Sequence, residues 1–371
     1  MLGFSPGTGG YFIGVSVARN MRVAVVADQT AYHDETAAAL RIRNVSQRLA
    51  GRGHDVTTFC SQWWGGDESE FDKAGVTYHA ITVDLDAPAR RWFTRLPQAV
   101  RELDPDVIHA AHADPFAIHA ASLAGSLARI PLVVDWYDVI GAASPWQERA
   151  WWVAARAPDV VITPSRLVRT GVREIGRPAD DIRVIPTGID MDQIRAIDPD
   201  PLADIVYSRE LDEDANLGSL LLGLAELRDM AWEAVVIGDG PFRRDYEDQA
   251  RDLRIADRID FVGEQPLERR LAAFKGAHVA VHTARKAPFS IEFLRALACG
   301  CVGIAEYHAQ SSATELIERR QRGFRVTSDE ELAEAIRSAA DLDRLDIDED
   351  FARFDQDEVL DRYLECYEDL C

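Results

Sequence analysis

Lysine is nearly absent: Lys73, Lys275 and Lys286 are the only three in 371 residues, and arginine supplies the other basic side chains. Cysteine is scarce and shows no pairing pattern. Cys60, Cys299, Cys301, Cys366 and Cys371 make an odd number without a Cys-x-x-Cys spacing, so neither a disulfide framework nor a zinc site is indicated. No uncharged apolar run reaches the roughly 18–20 residues that a membrane helix needs. Positive charge is also short: 41 basic against 63 acidic residues leave −22, which argues against nucleic acid as a partner. The first twenty residues lack both a basic leader and an apolar core, so they are a poor signal peptide. Residues 1–20 are expected to be a flexible extension, with Met21 opening the first strand.

What is present describes a globular α/β protein. At 47% hydrophobic and 28% charged, 371 residues suffice for two cores. The acid excess with so little lysine resembles proteins of salt-loving archaea, whose cytoplasm screens such self-repulsion, the alternative being a high-GC genome that favours arginine codons. The expected location is the cytoplasm, free or peripheral at the inner face of the membrane. Short apolar runs alternate with amphipathic segments from Arg22 to Pro186, with strands expected at 22–27, 55–60, 77–82, 107–110, 132–135, 160–163 and 182–185. Helical patterns lie at 35–50, 97–103, 115–128, 146–155 and 166–175. A second alternation runs from Asp204 to about Ala340, with strands at 205–208, 234–237, 259–262, 278–282 and 302–305. Such alternation predicts two doubly wound parallel sheets. The expected division is a domain over 21–186, a hinge over 187–203, a second domain over 204–345, and a closing segment over 346–371.

Candidate site residues gather where strands end. Gly238 and Gly240 bracket Asp239, either admitting a ligand close to the backbone or making a tight turn. Ser290 stands where it caps a helix carrying Phe289, Phe293, Leu294 and Leu297 at helical spacing, and Gly300 ends that helix. A free helix N-terminus at a strand end suits a phosphate or diphosphate. His109, His112 and Asp114 surround one strand end, and Asp135-Trp136-Tyr137-Asp138 closes another. Two histidines without a clear third ligand are not a metal site, and none is expected. Arg90, Arg91, Trp92 and Phe93 form the one concentrated basic-aromatic patch. It reads either as a peripheral membrane contact or as a helix edge with its aromatics in the core. Trp146, Trp151 and Trp152 read as core.

The succession Pro288-Phe289-Ser290, Leu294-Arg295-Ala296-Leu297-Ala298-Cys299-Gly300 and Ser311-Ser312-Ala313-Thr314-Glu315-Leu316-Ile317 resembles the donor-binding region of the retaining family-4 glycosyltransferases. Pro186-Thr187-Gly188-Ile189-Asp190 is similar to their interdomain hinge, and Gly238-Asp239-Gly240-Pro241 with Phe261-Val262-Gly263 to their strand–glycine–helix–strand run. The resemblance spans nearly all of residues 21–370. It implies the GT-B fold, two Rossmann-like domains facing a cleft, with a final helix crossing back to the first domain. It implies transfer of a sugar from a nucleotide-sugar to a glycan, lipid-linked or small-molecule acceptor, with no cofactor besides that donor. Arg209 is then placed on the diphosphate together with backbone at Ser290, Ile291 and Glu292. Val262 and Gly263 are placed at the base, Arg295 and Glu315 in the donor site, and His112, Asp135 and Asp138 on the acceptor side. The chain departs from the family at the two glutamates, where Ala287 and Arg295 stand. Glu292, one turn before Arg295, is the nearest acid and either pairs with that arginine or reaches the donor's hydroxyls. A catalytically inactive nucleotide- or glycan-binding protein and a sugar-nucleotide epimerase are the alternatives that share the fold.

Overall fold

The computed structural model describes residues 20–371 apart from 84–89, 112–114, 139–144 and 202, and only the backbone of 145–148. Residues 1–19, His112 and Asp114 therefore lie outside the described residues. The first sheet contains β1 (Arg22–Val26), β2 (Asp55–Ser61), β3 (Glu70–Lys73), β4 (Val76–Thr82), β5 (Val107–Ala111), β6 (Leu132–Asp135), β7 (Val160–Thr163) and β8 (Ile182–Val184). Their order is β3-β4-β2-β1-β5-β6-β7-β8, parallel except between β3 and β4. Successive side chains of a strand point to opposite faces. Accordingly Val23 and Val25 enter one core and Ala24 and Val26 the other, so both faces are covered.

Sequence pattern did not reveal β3. All four of its residues are exposed, so no apolar alternation marks it. The turn into β4 places Ala74 and Gly75 at φ 53° and 79°, the two positive values that match the twist of paired strands. The helix expected from Pro97 instead begins at Arg90 and runs to Leu103. Trp92, Leu96 and Val100 recur along its buried face, and this stripe carries the helix through the proline. Trp92 thus lies in the core with Phe93 packed against it, while Arg90 and Arg91 stay exposed. The aromatic half of the proposed membrane patch faces inward. Trp151 packs on Trp136, but Trp152 is half exposed with the Arg156 guanidinium 3.8 Å over its ring, which corrects its reading as core.

The second sheet contains β9 (Ile205–Ser208), β10 (Ala234–Ile237), β11 (Ile259–Gly263), β12 (Val279–His282), β14 (Val302–Glu306) and β16 (Gly323–Val326), all parallel, in the order β11-β10-β9-β12-β14-β16. A two-residue pair, β13 (Lys286–Ala287) with β15 (Gln310–Ser311), stands outside it. The chain passes between domains twice, at 185–190 and again at 354–356. The two crossings bond to each other through Ile189 N to Phe354 O and Gln356 N to Ile189 O, both 2.9 Å. A Cβ on Gly188 would lie 2.7 Å from Gln356 Cα, so only glycine lets the crossings run side by side. The final helix, Gln356–Glu368, then packs Val359, Leu360, Tyr363, Leu364 and Tyr367 into the core of the first domain.

Candidate active site

The carboxyl ends of the two sheets meet. Ser165, which follows β7, donates its hydroxyl to Pro288 O at 2.7 Å, and Lys286 Nζ lies 3.6 Å from Asp138 Oδ2 beyond β6. On the side of the second domain three adjacent strands end together. β9 leads to Arg209, β12 to the helix Ile291–Ala298, and β14 ends at Glu306.

Arg209 is held in place by its neighbours. Its Nη2 donates to both carboxylate oxygens of Asp212 (3.2 and 3.1 Å), and Nη1 to Lys286 O at 3.2 Å. Lys286 and Arg285 follow β12 close by, so positive charge collects at this edge. The helix Ile291–Ala298 starts with Ser290 in the cap position, but the expected cap bond is absent. Ser290 Oγ instead meets His282 Nε2 at 2.9 Å, because the end of β12 lies directly beneath it. The first amide of the helical ladder is Leu294 N, bonded to Ser290 O at 2.9 Å. The amides of Ile291, Glu292 and Phe293 precede that ladder and point out of the helix end.

Glu292 is claimed by two guanidinium groups. Arg270 Nη1 lies 2.8 Å from its Oε1, and Arg295 Nη1 pairs with the same oxygen. Arg295 also lines a groove with Arg48, Gln193 and Gln356 between the domains. Gly238 N bonds Gly263 O at 2.9 Å and Gly240 N bonds Asp239 Oδ1 at 2.8 Å, so both amides are taken by the protein. The reason for glycine here is packing: at φ +134°, a Gly238 Cβ would sit 2.0 Å from Arg209 O. Gly-Asp-Gly therefore shapes the Arg209 loop. The Val262 carbonyl is bonded by Gln265 Nε2 at 2.8 Å.

Glu315 does not face the cleft as a free acid. Its Oε2 and Oε1 accept from Arg166 N and Leu167 N at 2.9 and 2.8 Å, so it caps a helix of the opposite domain. Asp135 is also corrected. It is buried, accepts from Arg41 Nε on both oxygens (3.1 and 3.0 Å) and from the Tyr363 hydroxyl, and is therefore closed off from an acceptor in the cleft. Arg41 in turn donates to Ile185 O (2.6 Å) and Thr187 Oγ1 (3.1 Å). Among the predicted acids of that strand end, Asp138 is the one partly exposed to the cleft.

Two buried histidines frame the site. Burial pushes His109 down to about 4 against the pull of Asp135, and its Nδ1 lies 2.6 Å from the Tyr367 hydroxyl. Burial, then the charge of Arg209, pushes His282 down to about 3. Both are neutral when folded, whereas the unfolded chain takes up their protons near pH 6.5. Stability present above pH 6.5 is therefore lost as pH falls towards 4, with a slope approaching about 1 kcal/mol per pH unit for each histidine. Denaturant unfolding at pH 7.5, 6.5, 5.5 and 4.5 checks this. A flat profile below 6.5 would contradict neutral burial.

The Glycosyltransferase Family 4 model matches residues 38–193 and the Glycosyl transferases group 1 model residues 192–353. Fold and matches together define a GT-B protein. Together the two models span residues 38–353 and support a glycosyltransferase of the family-4 type. It is 26% identical over 243 residues to a GDP-mannose-dependent α-(1-6)-phosphatidylinositol monomannoside mannosyltransferase of Mycobacterium tuberculosis, covering 59% of this chain and 61% of that one. It thus spans about three fifths of that relative's length. An α-monoglucosyldiacylglycerol synthase of Streptococcus pneumoniae is 25% identical over 198 residues, 49% of this chain and 44% of that one. Among solved structures, a Rickettsia africae glycosyltransferase has a TM-score of 0.78 at 16% identity, covering 95% of this chain and 99% of that one. Anabaena HepE in complex with UDP scores 0.74 at 19% identity, covering 94% and 100%.

Proposed function

We propose that the protein transfers a hexose from a nucleoside diphosphate sugar to a lipid-linked or glycan acceptor. The observation that carries this reading is the placement of Arg209 and of the amides of Ile291–Phe293 beyond the ends of two neighbouring strands. A guanidinium fork and a helix N-terminus both favour a diphosphate, and both favour it more as negative charge grows on the leaving group. The nucleoside then lies towards β10 and β11. Asp138 and the end of β6 face the acceptor. Named relatives support the donor class: a mannosyltransferase that uses GDP-mannose and a structural neighbour bound to UDP. The names of two relatives, a phosphatidylinositol monomannoside mannosyltransferase and a monoglucosyldiacylglycerol synthase, favour a lipid-linked acceptor.

Two arginines on Glu292 favour a second reading, a nucleotide-binding protein without turnover, because that acid's charge is already neutralised. The test incubates the protein at high salt with UDP-glucose or GDP-mannose and a lipid-extract acceptor. Free diphosphate released only when acceptor is present is the expected result. Binding of the donor with no release under any acceptor would leave the second reading.

A further inference from the structure

Four carboxylates near the cleft are already committed: Asp135 to Arg41, Glu292 to Arg270 and Arg295, Glu315 to a helix end, and Asp239 to Gly240 N and Arg243. Glu306 is different. It ends β14, is 8% exposed, and among the described residues no arginine or lysine pairs with it. Its Oε2 accepts from Asn216 Nδ2 at 3.1 Å, and its Oε1 lies 3.3 Å from His308 Nε2. The chain spends local structure on this arrangement. Asn216 sits in the left-handed region at φ 52°, and the same amide nitrogen also donates to Thr283 O at 3.1 Å. A buried imidazole nitrogen close by, His282 Nδ1, has no hydrogen-bond partner among the described residues. Burying a carboxylate without a cation costs several kcal/mol unless something compensates it. A protein that keeps such a group at the ligand edge of an open sheet keeps it for a ligand.

Strand order says which part of a ligand it meets. Along β11-β10-β9-β12-β14, Arg209 follows β9 and the helix N-terminus follows β12, with Glu306 one strand further. If the diphosphate lies at β9 and β12 and the nucleoside towards β11, the opposite direction is left for the sugar. We propose that Glu306, steadied by Asn216 and His308, accepts hydrogen bonds from the hydroxyl groups of the donor's sugar ring and thereby selects the sugar. This rests on the nucleotide-sugar reading above. A carboxylate suits the task because it is purely an acceptor and takes two neighbouring hydroxyls at once. Among the described residues no arginine or lysine competes with them for it.

The test separates sugar from nucleotide. UDP, UDP-glucose, GDP and GDP-mannose are titrated calorimetrically into the full chain and into Glu306→Gln, which keeps the shape and the bond to Asn216. In the variant the diphosphate's affinity should stay within about twofold, while that of the matching nucleotide-sugar falls by roughly tenfold, the scale of a lost charge-assisted bond. Equal losses for both ligands, or no loss for either, would overturn the assignment. Should the glutamine variant fail to fold, Glu306→Asp keeps the charge but withdraws it by one methylene, and the same split is expected. If the unaltered protein binds neither diphosphate, the nucleotide-sugar reading itself fails, and the inference with it.

Discussion

Arg41→Ala should destabilise the first domain by about 3–5 kcal/mol, the usual result of leaving one partner of a buried ion pair uncompensated. Arg41 and Asp135 are each 2% exposed, and Asp135 would keep only the Tyr363 hydroxyl. Asp135→Ala should cost a similar amount by leaving the guanidinium alone with Thr187 and the Ile185 carbonyl. Replacing both by apolar residues of like volume should recover much of the loss, because neither charge then needs a partner. Tryptophan fluorescence during urea unfolding reports this, since every tryptophan but Trp232 lies before the hinge. Single variants as stable as the parent would show that the pair contributes nothing.

Arg209→Ala should weaken binding of UDP or GDP by at least about tenfold, as expected when a charge-assisted contact of roughly 1.5–3 kcal/mol is removed. Stability should change little. Arg209 is partly exposed and its ion pair with Asp212 is local, a kind of contact typically of about 0–1 kcal/mol. Arg209→Lys should restore only part of the affinity, because an ammonium lacks the two-pronged fork. Calorimetric titration of the diphosphate measures each case. Unchanged affinity in the alanine variant would remove Arg209 from the site.

The fold was legible because its signals are local. Apolar runs such as Val23–Val26 and Val279–Val281, each followed by a helical pattern, need no distant partner to be recognised. Gly188 and Gly238 were also visible, although their reasons were not: one admits the second crossing and the other the Arg209 loop. The site was legible only to the level of strand ends. Whether Asp135 faces a ligand depends on Arg41, 94 residues earlier, and on Tyr363, 228 residues later. Glu315 finds its partner 149 residues away across the cleft. No periodicity encodes such pairings. Glu306 was missed for the opposite reason, since an acid closing an apolar strand looks like an ordinary solvated strand end.

The helix Gln356–Glu368 has a consequence for synthesis. Domains generally fold as units in the order they leave the ribosome, at about 5–20 residues per second. The first domain cannot follow that order to completion. Val359, Leu360, Tyr363 and Tyr367 fill part of its core, and Tyr363 covers its buried ion pair. Until residue 367 has emerged, that face of the nascent domain stays open to water and to chaperones, while the second domain already has its own sheet. Of the two domains, the one made first is therefore the one finished last.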